Sequence, residues 1–426
     1  MRQILNLEFT SIQNLLLLPK GYNLANHTDS IQVILERHQV FKKFYTLEQK
    51  IQPTLASMEE SGLVIAKEWF RSGLEGKKIK LQETIAEISK YFDEPIDSIE
   101  RSAVDNFWQQ NQLFPANNYD ELSKYQNLHP IYNMLLKYKR YQSYLNQWGA
   151  KLKNEGKELG EGILITGHWQ SFSSHTGRIT AKRLPLTSMP VSMRDFVVAP
   201  EGFNIMSLDM ANAELRFLAH HAQCKSLIEK FNNGEDIHQE TAGLIKKEIS
   251  SGYVVDDETA RELAKRYTYS LLYGASVRTV TDNLQKILPQ VMTLNVVNIN
   301  EAFKQRYPEL DDFLVARERS TKLLTPFGEV EPIASFNRMQ KRNFTLQSSV
   351  SVAIKLLMKI ISDPNATVIH VLHDEVWILV PNGYSTETLI ETITKDFKEE
   401  IQKVFPGFPN VNLLACEKIG GRNNGK

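Results

Sequence analysis

The sequence predicts an α+β fold with more than one lobe. Three observations carry that prediction. Apolar residues recur at helical spacing over most of the chain. Two stretches, about 163–208 and 368–380, are instead rich in strand-forming residues and turn signals. The order is therefore helix-rich, β-rich, helix-rich, β-rich, over 426 residues, which is long enough for two or three packed subdomains.

The elements follow in order. Residues 1–45 are mixed, with a helical pattern from Asp29. From Leu47 to Glu60 the apolar positions Ile51, Leu55 and Met58 predict a helix ending near Gly62, and Leu63-Val64-Ile65 predicts a short strand. Residues 66–150 read as polar helices. Their lysine-rich runs, Lys77-Lys78-Ile79-Lys80 and Lys137 to Tyr141, suit either a solvated helix face or an arm along a phosphate backbone. Phe203 to Leu208 reads as a strand with a helix from about Ala211, and helices dominate from there to Ser362. Val368 to Val380 reads as a hairpin with His373-Asp374-Glu375 at its tip, although it lacks Asn-Gly.

Composition sets limits. Hydrophobic content of 42% and charged content of 23% are those of a globular protein. Fifty Lys plus Arg balance fifty Asp plus Glu, so no global positive field exists. A nucleic-acid partner would need charge segregated by face, or carboxylates spent on metal ions. Two cysteines, Cys224 and Cys416, cannot build a zinc framework or a disulfide network. No stretch reaches the length of a membrane span, and Leu15 to Leu18 is too short for a signal-peptide core.

The most informative segment is Arg261 to Gly274. Arg261, Lys265, Tyr269 and Tyr273 recur every fourth residue, so they share one broad stripe of a helix, drifting about 40° per step. Asp256, Asp257, Glu258 and Thr259 suit its N-terminus, and Gly274 is placed to end it. Two cations a turn apart can hold polyphosphate oxygens, and a ring beyond them can stack on a base. A solvated amphipathic helix is the plainer reading of the cations alone.

Carboxylates complete the pattern. Asp209 lies where an apolar strand ends, and Asp374 and Glu375 lie at the hairpin tip. Strand-end acids on neighbouring strands can share two divalent cations roughly 3.5–4 Å apart, which suits in-line displacement at phosphorus. Oxygen ligands with retained water suit Mg²⁺. A helix N-cap for Asp209 and a solvated turn for Asp374-Glu375 are the structural alternatives.

Together these segments resemble the family A DNA polymerases, the DNA polymerase I type. Ser207 to Arg216 resembles the family's first motif, and Gly234-Glu235-Asp236-Ile237-His238 its continuation. Arg261 to Gly274 resembles the second motif, His373-Asp374-Glu375 the third, and Thr176-Gly177-Arg178 the segment before the palm. Leu135 to Tyr144 resembles a segment near the thumb tip, and the similarity spans about Leu47 to Cys416.

The resemblance implies a right-hand polymerase architecture: a palm built on an antiparallel sheet, with helical fingers and thumb. It implies a palm of 46–65, 163–213 and 360–426, a thumb of 66–162 and fingers of 214–359. Residues 1–45 would be the remnant of an exonuclease-like region.

Roles follow from the same resemblance. Asp209 and Asp374 would ligate two Mg²⁺ ions, Glu375 would support them, and Met210 would offer its backbone carbonyl. Arg261, Lys265 and His238 would hold the triphosphate. Tyr269 would lie against the incoming sugar and base, and Tyr273 would stack near the template. Glu214 would be a steric gate against ribonucleotides. Arg178, Asn343, Gln347 and His373 would contact the primer–template DNA. The implied activity is addition of deoxynucleoside triphosphates to a primer 3′-OH, by a monomer without proofreading. A separate proofreading or processivity factor would fit.

Departures from the family pattern are visible. Met210 stands where tyrosine is usual, so only a main-chain role survives there. Asn212 and Ala213 precede Glu214 in place of Gln and Ile, and Ser348-Ser349 replace Gly-Thr after Gln347. Gly328-Glu329-Val330-Glu331 stands where arginines are usual, and the C-terminal end lacks the usual tryptophan. Tyr269 stands where many members have Phe, which implies tolerance of dideoxynucleotides.

No exonuclease carboxylate pair precedes the polymerase-like region, so neither a 3′–5′ exonuclease nor a 5′ nuclease is expected in this chain. A single-subunit RNA polymerase, or an inactive polymerase-like DNA-binding protein, are the competing readings. Glu214 and the His-Asp-Glu tip argue against the first, and retention of Asp209 and Asp374 against the second. A nucleoid, phage, plasmid or organellar setting would fit equally.

Overall fold

A computed structural model describes residues 39–92, 99–171, 174–249, 254–285, 287, 295–330, 336–361 and 365–420. The pattern expected from Asp29, and the region 1–45 up to residue 38, lie outside these. The chain divides into two compact units. One comprises Met1–Glu60, His168–Ala181 and Gly202–Lys418; the other comprises Ser61–Gly167, Lys182–Glu201 and Ile419–Lys426.

The first described helix, α1 (Gln39–Ser61), starts eight residues before the strongest apolar pattern and carries Pro53 inside it. Leu47, Ile51, Leu55 and Met58 form its buried stripe, as their spacing of three and four residues requires. Gly62 ends it with a φ of 60°, and a Cβ there would meet the Ile165 carbonyl at 2.6 Å.

The second unit opens with β1 (Leu63–Ala66), where the sequence predicts it. After a π-turn at Trp69–Gly73 come α2 (Glu75–Ser89), α3 (Arg101–Gln110), α4 (Tyr119–Tyr125) and α5 (Pro130–Leu145). Asn118 and Glu121 form a reciprocal capping box at the start of α4. Ile85, Ile88, Phe107, Trp108, Leu122 and Tyr132 fill the core between these helices, with Trp108 and Tyr132 stacked 4.8 Å apart. Short α6 (Leu152–Glu155) leads to β2 (Lys157–Leu159) and β3 (Gly162–Ile165).

A pair of strands, β4 (His168–Gln170) and β5 (Thr180–Lys182), intervenes before β6 (Val197–Val198). The second unit's sheet runs β2-β3-β1-β6, with Ile65 opposite both Ile163 and Val197.

The first unit is organised on β7 (Phe203–Met210). After it come α7 (Ala213–His221), α8 (Lys225–Asn232), α9 (Ile237–Glu248), α10 (Asp257–Leu272), α11 (Val277–Gln285), α12 (Val296–Arg306) and α13 (Pro308–Arg319). A small hairpin, β8 (Leu323–Thr325) and β9 (Gly328–Val330), precedes α14 (Arg338–Ile360), β10 (Thr367–Leu372), β11 (Glu375–Pro381), α15 (Thr386–Val404) and β12 (Leu414–Ile419).

The second β-rich stretch is the expected hairpin, β10 and β11, joined by His373 and Asp374. His373 has a φ of 54°, the positive value that both primed hairpin turns need at their first loop residue. The sheet order β10-β11-β7-β12 makes β11 and β7 the central strands. Val376, Trp377, Ile378 and Val380 of β11 are fully buried, so both faces of this strand are covered.

Helix α14 is buried on every side from Ser348 to Met358 and packs on α7, α13 and α15. Among the described residues no helix is long and apolar enough to cross a membrane.

Candidate active site

Strand register places the acids. β11 and β7 run antiparallel with Glu375 directly opposite Asp209, and the Met210 N–H donates to the Asp374 carbonyl at 3.0 Å. All three carboxylates therefore occupy one end of the central sheet. Asp209 is the penultimate residue of β7 and not a helix cap: α7 begins only at Ala213, after Asn212 takes a left-handed φ of 53°. Opposed residues of an antiparallel pair share a face, so Asp209, Glu375, Ser207 and Trp377 lie together.

Glu375 is buried, and one of its oxygens accepts from both the Ser207 hydroxyl and the Trp377 indole N–H, the latter at 2.5 Å. That oxygen is committed to the scaffold. Asp374 is half-buried, and burial, reinforced by neighbouring Glu375, holds its carboxyl above the ordinary range.

Helix α10 forms as its sequence predicts. The Asp256 side chain accepts from the Thr259 N–H at 2.8 Å to cap the start. At the end, Gly274 has a φ of 70°, its N–H bonds the Leu271 carbonyl, and the Ala275 N–H reaches back to the Ser270 carbonyl. That pair of bonds is a Schellman cap, for which glycine is the favoured residue.

Ala260, Leu263, Ala264, Tyr267 and Thr268 form the buried face, leaving Arg261 and Lys265 exposed and Tyr269 and Tyr273 half-buried. Arg261 bonds Asp236 at 2.6 Å; burial opposes ionisation of Asp236, but the arginine's bond and charge prevail and hold its carboxyl low.

A network joins the end of this helix to Glu214 and Arg178, whose charges act on Asp374. The Tyr273 hydroxyl donates to Glu214, and Arg178 donates to the same Glu214 oxygen at 3.2 Å. Glu214 is raised by burial in spite of these partners, and burial likewise pushes the Tyr269 and Tyr273 hydroxyls up. His238 is buried at the start of α9. One of its ring nitrogens lies 3.0 Å from Asn212 Oδ1, and burial pushes its pKa down to about 4, so it is neutral at pH 7. In this arrangement Tyr273 is engaged with Glu214, and His238 is screened from solvent.

Asn343 and Gln347 lie one turn apart on α14, both half-buried, with Asn343 Oδ1 lacking a hydrogen-bond partner among the described residues. His373 is exposed at the hairpin tip.

Several supporting residues escape sequence reasoning. Lys355 and Glu48, 307 positions apart, form an ion pair buried in the first unit. Lys355 also donates to the Gly177 carbonyl at 2.6 Å, and Ser351 donates to it at 2.5 Å, so the loop presenting Arg178 is anchored on α14. Arg216 is buried. It donates to the carbonyls of Ala211, Pro409 and Asn412 at 2.8, 2.9 and 3.3 Å and lies over the Phe231 ring. Burial lowers its pKa to about 10, which leaves it charged. One signal was available for Arg216: a cation among the apolar residues of α7.

The donor set fits a hard divalent cation. Asp209 and Asp374 offer oxygens at adjacent strand ends, and a nearby cation would offset the burial that disfavours the ionised Asp374. Among the described residues no group of three His, Cys, Asp or Glu forms a ready-made metal cage. The chain supplies a carboxylate pair, leaving room for main-chain carbonyl, water and phosphate oxygens, as Mg²⁺ prefers.

The fold and this acid-ended sheet define a polymerase-type domain. The family profile described as DNA polymerase family A matches residues 108–421, and the chain belongs to that family. DNA polymerase I of Helicobacter pylori is 25% identical over 282 residues, covering 60% of this chain and 30% of the relative. DNA polymerase I of Caldicellulosiruptor bescii is 24% identical over 392 residues, covering 83% of this chain and 44% of the relative. The chain thus spans less than half the length of these relatives. The POL domain of Pol1 from M. smegmatis, solved in complex with DNA primer-template and dNTP, superposes with a TM-score of 0.73. It has 17% identity and covers 96% of this chain and 81% of that one.

Proposed function

We propose that the chain is a DNA-directed DNA polymerase that adds deoxynucleoside triphosphates to a primer 3′-OH on a template strand. The observation that carries this is the bond network from Tyr273 through Glu214 to Arg178, which holds the end of the cation-bearing helix within the same unit as Asp209 and Asp374. A nucleotide gripped by α10 would present its phosphates toward those acids.

In this reading the palm is 46–65, 163–213 and 360–426, the thumb 66–162 and the fingers 214–359. Arg261 exchanges Asp236 for triphosphate oxygens, which the 48% exposure of its side chain permits. Lys265 adds a second cation one turn along. Glu214 limits space at the sugar, and Tyr269 flanks sugar and base. Asp209, Asp374 and the Met210 carbonyl are the groups that would hold two Mg²⁺ ions, which would activate the attacking oxygen and steady the leaving one. Glu375, tied to Ser207 and Trp377, keeps its partners in place without moving itself. Arg178, Asn343, Gln347 and His373 contact primer–template DNA.

Primer extension with Mg²⁺ and four deoxynucleoside triphosphates tests the reading. Template-dependent extension is expected, and failure of the wild-type chain to extend would overturn it. Glu214→Ala should admit ribonucleotides. Tyr269→Phe should raise discrimination against dideoxynucleotides; equal discrimination in both proteins would remove the role given to that hydroxyl. A labelled, mismatched primer end should persist in the absence of nucleotides, because the chain adds without excising.

A further inference from the structure

Helix α10 is held very differently at its two ends. Its last turn has carbonyls with no partner inside the helix, the usual situation at a C-terminus. The Schellman cap uses those of Ser270 and Leu271. Arg342, on the first turns of α14, then adds two bonds: Nε to the Leu272 carbonyl at 3.0 Å and Nη2 to the Leu271 carbonyl at 2.8 Å. Its remaining nitrogen, Nη1, donates to Glu318 of α13 at 2.8 Å. The guanidinium is buried, so these charge-assisted bonds form out of water and at the negative end of the helix dipole. Met339, one turn earlier than Asn343, crowds Gly274 so closely that a Cβ there would meet its Cε at 2.6 Å. The other end packs through Ala260, Leu263 and Ala264, but its ion pairs, Arg261 to Asp236 and Lys246 to Asp257, are between partly or largely exposed groups.

We propose that Arg342 is a positioning residue for nucleotide binding: a latch that fixes the C-terminal end of α10 to α14, so that the helix turns about that end while Arg261 and Lys265 travel. The inference rests on the polymerase reading for its consequence, but its geometry stands without it. Asn343 is the next residue on α14, so the latch also sets the nucleotide-gripping helix and the DNA-contacting helix in one register.

The test uses the full chain with Arg342→Met, Arg342→Lys and Glu318→Gln. In Arg342→Met the nucleotide KM is expected to rise about tenfold with kcat changed far less, because the loss falls on binding geometry and not on the acids. Arg342→Lys and Glu318→Gln should fall between it and wild type. Amide hydrogen exchange gives a readout free of activity: the Gly274 and Ala275 N–H groups should exchange faster in each variant, while Ala260 and Leu263 are unchanged.

If Arg342→Met fails to fold, the other two variants carry the same comparison. An unchanged KM with unchanged exchange at Gly274 and Ala275 overturns the latch. So does a drop in melting temperature with KM unaltered, which would make Arg342 a stability element only. A wild-type chain that extends no primer sinks the polymerase reading instead, and the exchange data alone then decide the latch.

Discussion

The acids at the end of the central sheet and the cations Arg261 and Lys265 of helix α10 are placed on opposite principles. The acids are placed by main-chain register: seven consecutive residue pairs between β11 and β7, ending at Glu375 opposite Asp209, leave their Cα positions almost no freedom. The cations are placed by long, exposed side chains on a helix that packs along one face and has its charge-assisted main-chain ties to Arg342 at its C-terminal end. Metal-binding oxygens need fixed spacing, whereas a group that must first admit and then hold a substrate needs reach. In the proposed function the sheet serves the first task and the helix the second.

The sharpest way to break that contrast is at the acids. Asp374→Asn is expected to cut primer extension by on the order of a thousandfold. Its melting temperature should not fall, because burial and Glu375 already disfavour the ionised carboxylate. Loss of activity accompanied by unfolding would contradict the assignment.

The cations should be gentler. Under the proposed function Lys265→Ala would remove one charge-assisted contact to phosphate, worth about 1.5–3 kcal/mol, so the nucleotide KM should rise by about 10–100-fold with DNA affinity little changed. A comparable loss of DNA affinity would move Lys265 to the template side.

Much of this site was legible in the sequence, and the reason is locality. The stripe from Arg261 to Tyr273, its Asp256 cap and its Gly274 stop lie within one helix, so periodicity and capping preferences reveal them. The hairpin holding Asp374 is equally local. What could not be read is pairing across the chain. No local pattern sets β7 beside β11, 165 residues later; nor does one couple Glu48 to Lys355 or aim Arg342 at the end of α10. The delayed start of α7 was hidden for a related reason: Asn212 adopts its left-handed turn between a strand end and a helix that other segments hold in place.

Two smaller effects sharpen the comparison through stability. Gly274→Ala forces a left-handed backbone on a residue with a Cβ and should cost about 1–2 kcal/mol, read by chemical denaturation. The end of α7 should show a weakness in acid. His221 lies against the rings of His220 and Phe313, its Nε2 is 2.8 Å from Ser349 Oγ, and Arg317 acts on it electrostatically. Burial pushes its pKa down from 6.5 to about 3, with His220 and Arg317 adding to the shift. Between those values the unfolded chain binds the extra proton, so this contribution is full above about pH 6.5 and is lost as pH falls toward 3. Stability at pH 5 should be about 1–2 kcal/mol below that at pH 7 from this group, and His221→Gln should flatten that part of the profile. An unchanged profile in the variant would remove His221 as the cause.

The indole of Trp377 has a consequence of its own. Its N–H is bonded to Glu375, a carboxylate of the acid end. Emission from a buried indole shifts with the charge beside it, so the site carries its own fluorophore. Titrating Mg²⁺ into the chain and its Trp377→Phe variant would convert that bond into a binding isotherm, with no label and no turnover required.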